Sequence, residues 1–217
     1  RANADLVLFN TCCVRDNAER RALGNVNWLN ELKKKKPGLL IGICGCMVQQ
    51  PGMAEKILKQ YKFVDLAFGT HNLYQLPGLL YELLTERKRV VSVNSETELI
   101  AEDLPVKRLI DYKAYITIMY GCDNFCSYCI VPYVRGRERS RRTDDIIREA
   151  EALLKGGAQE IMLLGQNVNS FGNDEGENFP SLLRALDALG VPRIRFMTSH
   201  PKDLSDELIA AMAECGH

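Results

Sequence analysis

The sequence predicts an α/β protein in two parts, a parallel-sheet domain followed by the first half of a β/α barrel. Three observations predict it. Short, continuously apolar runs alternate with helical patterns, the mark of strands buried on both faces of a parallel sheet. The alternation is interrupted once, by the polar segment 94–111, which is acidic at first and broken by Pro105. It then resumes as three strand–helix units in a row, which suit a β/α barrel. The expected boundaries are a first domain over 1–93, a linker over 94–111 and a second domain over 112–217.

Residues 6–10 (LVLFN) form the first buried strand. A helix over 16–36 follows, with Ala18, Ala22, Val26 and Leu29 on one face and lysines at the end that suits the helix dipole. Pro37-Gly38 stops it, and residues 39–43 are the second strand. Pro51 opens a helix to about Gln60, 64–68 is the third strand, and 73–87 is a helix with Leu76, Leu79, Leu80, Leu83 and Leu84 on its apolar side. Residues 89–93 make a fourth strand. In the second part, 114–120 is a β-branched and aromatic strand. Thr143 caps a helix with Asp144 and Asp145 in its first turn, and Gly156-Gly157 ends it. Strands over 160–164 and 193–198 alternate with helices over 179–189 and 206–214, the last capped by Ser205.

Composition narrows the function. The 28 Lys and Arg balance 28 Asp and Glu, so a polyanionic partner must be met by local basic patches. No apolar run reaches the length of a membrane span, and no signal-peptide pattern opens the chain. Eight cysteines in a long chain of this kind read as metal ligands in a reducing cytoplasm. The chain starts at Arg1 and stops at His217 just after a helical pattern, which leads to the expectation of a piece of a longer protein.

The chemistry centres on Cys122, Cys126 and Cys129, spaced C-x-x-x-C-x-x-C in the loop after the strand at 114–120. Thiolates are soft ligands that suit zinc, copper(I) and iron–sulfur clusters. A closed structural zinc site wants four protein ligands, whereas three thiolates around a cubane leave one iron open for a substrate or cofactor. Arg135, Arg137, Arg139, Arg141 and Arg142 follow the cysteines. They are either a solvated loop paired through Glu138 or a contact for RNA phosphate or a cofactor carboxylate, which arginine binds in bidentate fashion. Lys33 to Lys36 read as a solvated helix end. Cys12 and Cys46 each follow a buried strand of the first domain, and such strand ends share the edge where ligands bind. From spacing alone they are as readily buried core cysteines as ligands.

The string G-C-D-N-F-C-S-Y-C-I-V-P-Y-V-R-G-R-E-R-S-R, with Tyr128 just before the last cysteine, resembles the methylthiotransferases of the radical S-adenosylmethionine superfamily, and most of all the MiaB branch that modifies adenosine beside the tRNA anticodon. The strings N-T-C-x-V-R over 10–15 and G-C-M-x-Q over 45–49 resemble two of the three cysteine motifs of the family's amino-terminal domain, and select Cys12 over Cys13 and Cys46 over Cys44. LLGQNVNSFG and RIRFMTSHP also resemble that branch.

The resemblance implies a [4Fe-4S] cluster on Cys122, Cys126 and Cys129, with S-adenosylmethionine on the open iron as the source of a 5′-deoxyadenosyl radical. It implies a second [4Fe-4S] cluster that handles the sulfur, with Cys12 and Cys46 as two of its three ligands and the third before Arg1. Tyr128, Gly165, Gln166 and Asn167 are the implied cofactor-binding residues, the last three in place of a Gly-Gly-Glu-like segment from which this sequence departs. His200, at a strand end, either faces the site or is a turn residue before Pro201, and Cys215 packs on a helix.

The implied reaction is methylthiolation of C2 of N6-isopentenyladenosine in tRNA. The implied partners are tRNA and an electron donor such as flavodoxin or ferredoxin, with no membrane, for a cytoplasmic monomer. Further barrel units and a carboxy-terminal RNA-binding domain are expected beyond this stretch, so that it is inactive alone. The alternatives are a relative acting on another tRNA adenosine or a ribosomal protein, and a non-catalytic metal-binding or electron-transfer module.

Overall fold

The apolar runs become parallel strands in the computed structural model, which describes residues 3–94, 99–102, 106–173 and 176–216. Part of the expected linker, Pro105 included, lies outside the described residues. The chain divides into two units, Arg1–Thr97 with Phe125–Gly136, and Glu98–Asn124 with Arg137–His217.

In the first unit β1 (Leu6–Thr11), β2 (Leu40–Gly45), β3 (Leu66–Phe68) and β4 (Val90–Ser92) form one parallel sheet in sequence order. Strand alternation gives that sheet two apolar faces. On one, Ile41, Ile43 and Ala67 pack with Val26 and Leu29 of α1 (Asp16–Lys35). Met47 and Val48 of α2 (Cys46–Gln49), and Ala54 and Ile57 of α3 (Met53–Gln60), join the same core. On the other, Leu66, Phe68 and Cys44 pack against Leu79 and Leu83 of α4 (Leu76–Glu86). A short helix, α5 (Val131–Arg135), belongs to this unit: Val134 and Ile130 pack in the α1 face, and the Thr70 hydroxyl donates to the Val134 carbonyl at 3.0 Å.

Several local expectations shift. The helix expected from Pro51 begins at Met53, because Gly52 takes a left-handed conformation, and Cys46–Gln49 forms a separate helical turn. The helix expected from residue 73 begins at Leu76, behind a 3-10 turn over Thr70–Gln75, with Pro77 in its first turn. Leu84 is exposed, one position off the apolar stripe of that helix. The lysine-rich end of α1 is not simply solvated. Lys33 donates to the Phe63 carbonyl at 3.0 Å and pairs with Asp65, while Lys36 reaches the Ala4 carbonyl and Asp5. Lys34 pairs with Glu31 at the surface, and Asp5, the partner of Lys36, is also exposed. These lysines tie the helix end to the segments that enter the strands.

In the second unit β5 (Lys113–Thr117), β8 (Glu160–Leu164) and β9 (Ile194–Phe196) form a parallel sheet in the order β5-β8-β9. The strand expected over 114–120 is broken at Ile118. Its far end, β6 (Met119–Tyr120), turns to pair antiparallel with β7 (Arg139–Ser140), Met119 opposite Ser140. The helices α6 (Thr143–Lys155), α7 (Phe179–Ala188) and α8 (Asp206–Glu214) alternate with the parallel strands. The core gathers Ile116, Ile146, Ile161, Leu163, Leu182 and Leu186, and Phe179 meets Phe196 edge to face at 5.1 Å. Ser205 caps α8 by accepting from the Leu208 amide. Thr143 does not cap α6: it is the first helical residue after Arg142, and its hydroxyl bonds the Glu177 carboxylate instead.

The second unit also buries a charge. Arg141 is 8% exposed and pairs with Glu102 through two guanidinium nitrogens, while a third bonds the Thr117 carbonyl and Glu149. Replacing it by methionine leaves two carboxylates without their cation. Arg141→Met is expected to cost about 2 kcal/mol, below the range for fully buried pairs because both carboxylates are partly solvated. The urea midpoint of unfolding measures it, and an unchanged midpoint contradicts the burial seen.

Candidate metal centre

The cysteines of the first unit owe their positions to strand register. β1 and β2 pair until Thr11 stands opposite Gly45, so Cys12 and Cys46 leave adjacent strands from matching positions. Gly45 makes this possible. It has φ +95°, and a Cβ there would lie 2.4 Å from the Thr11 carbonyl oxygen and 2.5 Å from Asn10 Oδ1. The Thr11 hydroxyl donates to the Cys44 carbonyl at 2.6 Å and closes the strand end. Alternation sends Cys44 to the α4 face, where burial pushes its thiol up to about 11.

Cys12 is exposed, and its sulfur accepts from the Val14 amide at 3.5 Å. Cys13 is buried and donates its S–H to Cys46, which pushes the Cys13 thiol far up. Arg135, at the end of α5, donates Nε–H to Cys46 Sγ at 3.1 Å. The Cys13 hydrogen bond first, and then the Arg135 charge and hydrogen bond, lower Cys46 to about 6 against the opposing effect of burial. A small cavity of about 60 Å³ at this strand end is lined by Asn10, Cys44, Gly45, Phe68, Thr70 and Arg135, among others, and not by Cys46. Gln49, of the G-C-M-x-Q string, donates to the Asn94 carbonyl at 2.6 Å and accepts from the Thr70 amide at 3.0 Å.

The three-cysteine loop is shared between the units by chain position. Cys122 is buried in the second, whereas Cys126 and Cys129 are half-buried in the first. The Cys129 amide bonds the Cys126 carbonyl at 2.9 Å, which makes a turn of the segment between them. Phe125, just ahead, holds φ +45° and meets Tyr133 edge to face. Tyr128 is 91% exposed.

At the strand ends of the second unit, the Gly121 amide donates to Gln166 Oε1 at 2.6 Å, which fastens the backbone ahead of Cys122. Asn167 is buried and bonds Ser170, Asp203 and the His200 amide. A Cβ on Gly165 would lie 2.6 Å from Met119 Cγ. In the segment Gly165, Gln166 and Asn167, expected to bind the cofactor, Gln166 Oε1 and the Asn167 carboxamide are thus bonded to the protein's own groups. His200 precedes a 3-10 turn and accepts from the Lys202 amide. Cys215 packs against the core at the end of α8. Burial raises Glu138, which accepts from the Asp123 amide and the Ser170 hydroxyl. The arginine run does not form one basic face: within the second unit Arg137 pairs with Asp123, Arg139 lies over the Tyr120 ring and Arg141 is buried.

The donor chemistry around Cys46 suits a soft metal or an iron–sulfur cluster. All eight cysteines are free thiols, and Cys46 meets both a thiol donor and a guanidinium. Among the described residues no three His, Cys, Asp or Glu are grouped closely enough to hold a metal ion. Sequence reading missed Arg135 and Cys13 as partners of Cys46. Arg135 is 89 positions away in the chain, so no local pattern joins them.

Residues 1–69 match the uncharacterized protein family UPF0004, and residues 116–217 match the radical SAM superfamily. A tRNA-2-methylthio-N(6)-dimethylallyladenosine synthase of Clostridium perfringens is 55% identical over 218 residues, covering 99% of this chain and 49% of that protein. Proteins of the same name from Clostridium tetani and Thermoanaerobacter sp. are 54% and 53% identical over 98% and 97% of this chain. The chain spans about half the length of these curated relatives, 45–49%. Among solved structures, the radical S-adenosylmethionine methyltransferase TsrM of Kitasatospora setae, with tryptophan and a SAM analogue bound, aligns with a TM-score of 0.64 at 15% identity, over 99% of this chain and 47% of that one. A likeness at that identity establishes the α/β fold.

In the metal-free protein the Cys46 thiol is expected to ionise near pH 6. Thiolate ultraviolet absorbance of the wild type should show a group titrating there that Cys46→Ser lacks. A wild-type profile in which no thiol titrates below the ordinary value, about 8.5, contradicts the Cys13 and Arg135 contacts.

Proposed function

We propose, for a chain that belongs to the radical SAM superfamily and has a UPF0004 segment ahead of it, that it serves a tRNA methylthiotransferase. The reaction joins sulfur and a methyl group to C2 of N6-isopentenyladenosine beside the anticodon. The observation that supports this most is the 53–55% identity, over nearly the whole chain, to proteins named for a 2-methylthio product of a tRNA adenosine.

Cys122, Cys126 and Cys129 hold one [4Fe-4S] cluster in this reading, and Cys12 and Cys46 contribute to a second. Bound clusters and S-adenosylmethionine supply the one-electron chemistry that an unreactive carbon needs and that acid–base side chains lack. The chain's own residues bind and orient. Gln166 steadies the Gly121 amide and so the backbone that delivers Cys122. Gly45 delivers Cys46, and Asn167 ties the loop after β8 to the loop after β9. Tyr128, Gly165, Gln166 and Asn167 remain the residues assigned to the cofactor's surroundings. Residues 1–93 act as the UPF0004 domain, 94–111 as the linker and 112–217 as the radical SAM core. A tRNA is the macromolecular partner, an electron donor such as flavodoxin or ferredoxin supplies the electron, and the protein works as a cytoplasmic monomer. Among the described residues no helix is long and apolar enough to cross a membrane.

Two measurements test the reading. Cys122→Ala, Cys126→Ala and Cys129→Ala should each abolish reductive cleavage of S-adenosylmethionine by the anaerobically reconstituted whole protein, a loss of at least about 10³-fold, since cofactor chemistry has no side-chain substitute. Intact cleavage in any of them, or a protein holding zinc and no iron, sinks it. Nucleoside analysis of tRNA from a strain lacking the protein should show the isopentenylated adenosine without its methylthio group.

A further inference from the structure

We propose that Arg135 is a positioning residue for the iron–sulfur cluster of the UPF0004 segment: its Nε–H bonds the Cys46 sulfur, orients it as a ligand and raises the reduction potential of the cluster that this sulfur holds. The proposal rests on the methylthiotransferase reading and extends it to a residue of the other sequence motif. Arg135 lies in the string after Cys129, whereas Cys46 lies in the G-C-M-x-Q string.

The contact is built into the first unit from both sides. On the arginine side, α5 is anchored by Val134, which is buried in the α1 face of the core, and by the Thr70 hydroxyl on the Val134 carbonyl. Gly136, with φ +75°, ends the helix directly after Arg135, and its amide bonds the Pro132 carbonyl at 3.1 Å. On the sulfur side, Cys46 begins α2, and Gln49 ends it. Gln49 in turn accepts from the amide of the same Thr70. Thr70 therefore joins the helix that presents the sulfur to the helix that presents the guanidinium, and the 3.1 Å Nε to Sγ contact closes the ring. An arginine whose role was to meet RNA phosphate would gain nothing from being held on a buried sulfur.

The chemical consequence follows from charge. A guanidinium does not deprotonate in the working range, so the donor is permanent. A hydrogen bond to a ligating sulfur draws electron density from it and favours the more negative, reduced state, which raises the potential. Lysine would keep the charge without the planar fork that fixes one nitrogen on the sulfur.

The test uses the whole protein with Cys122→Ala, Cys126→Ala and Cys129→Ala, reconstituted anaerobically, so that only the UPF0004 cluster remains. Its midpoint potential is followed by electron paramagnetic resonance in a potentiometric titration, with Arg135, with Arg135→Gln and with Arg135→Met. At a fixed potential the reduced-to-oxidised ratio is expected to fall about tenfold in Arg135→Met, equivalent to about 59 mV for a one-electron couple. Arg135→Gln, which keeps a neutral N–H donor, should fall between. An unchanged midpoint in Arg135→Met at equal iron content overturns the proposal and leaves the cluster in place. If Arg135→Met folds but takes up no iron, Arg135→Gln decides, and an unchanged midpoint there overturns it. If the background that retains Arg135 takes up no iron, the reading of a UPF0004 cluster fails and the proposal falls with it, an outcome distinct from a cluster of unchanged potential.

Discussion

The close approach of β1 and β2 at their shared end is the constraint on which the first unit's chemistry depends. Two parallel strands can deliver two thiols from matching positions only if the backbones stay paired to the last residue. Here they do so through Thr11 and Gly45, at a separation that has no room for a Cβ. The positive φ of Gly45 then turns the chain directly into the short helix that begins with Cys46. A side chain at position 45 would push the strand ends apart and turn Cys46 away, so sheet packing and ligand placement are one requirement.

Several cations of this protein are turned inward. Lys33 and Lys36 secure the end of α1 against Asp65, Asp5 and two backbone carbonyls. Arg141 is buried on two carboxylates and a carbonyl, and Arg135 meets a sulfur. Long cationic side chains suit such work because their stems lie along apolar surface while the head finds its partner. Arg137 and Arg142 of the same arginine run, by contrast, stay largely exposed beside Asp123 and Asp144.

The two strand-end networks differ in kind. In the first unit, sulfur is surrounded by donors, namely the Cys13 thiol and the Arg135 guanidinium. In the second, carboxamides and carboxylates dominate: Gln166 holds the Gly121 amide, and Asn167 links Ser170, Asp203 and His200. Glu138 sits among these with its carboxyl raised by burial. Such a network makes the loops after β8 and β9 a joined framework, which is what a site assembled from several loops requires.

The order of strands and helices, the parallel sheets and both cysteine groups could be read from the sequence. Each rests on a local signal: apolar runs at 6–10 and 39–43, amphipathic spacing in α1 and α6, and C-x-x-x-C-x-x-C. The break of the strand at Ile118 could not, because residues 114–120 are uniformly β-forming and the turn is set by pairing with Arg139 and Ser140. Nor could the fates of the lysines and arginines, whose type predicts solvent until a fold supplies a partner. Sequence by itself determined which residues are thiols, which runs are strands and that the strand ends carry sulfur. Only the tertiary structure decided that Cys44 faces one core and Cys46 the other, that Cys13 donates to Cys46, and that Arg135 reaches it from 89 positions away. Periodicity and spacing are properties of neighbours along the chain, whereas hydrogen bonds to a sulfur depend on which strand ends and helix ends packing brings together.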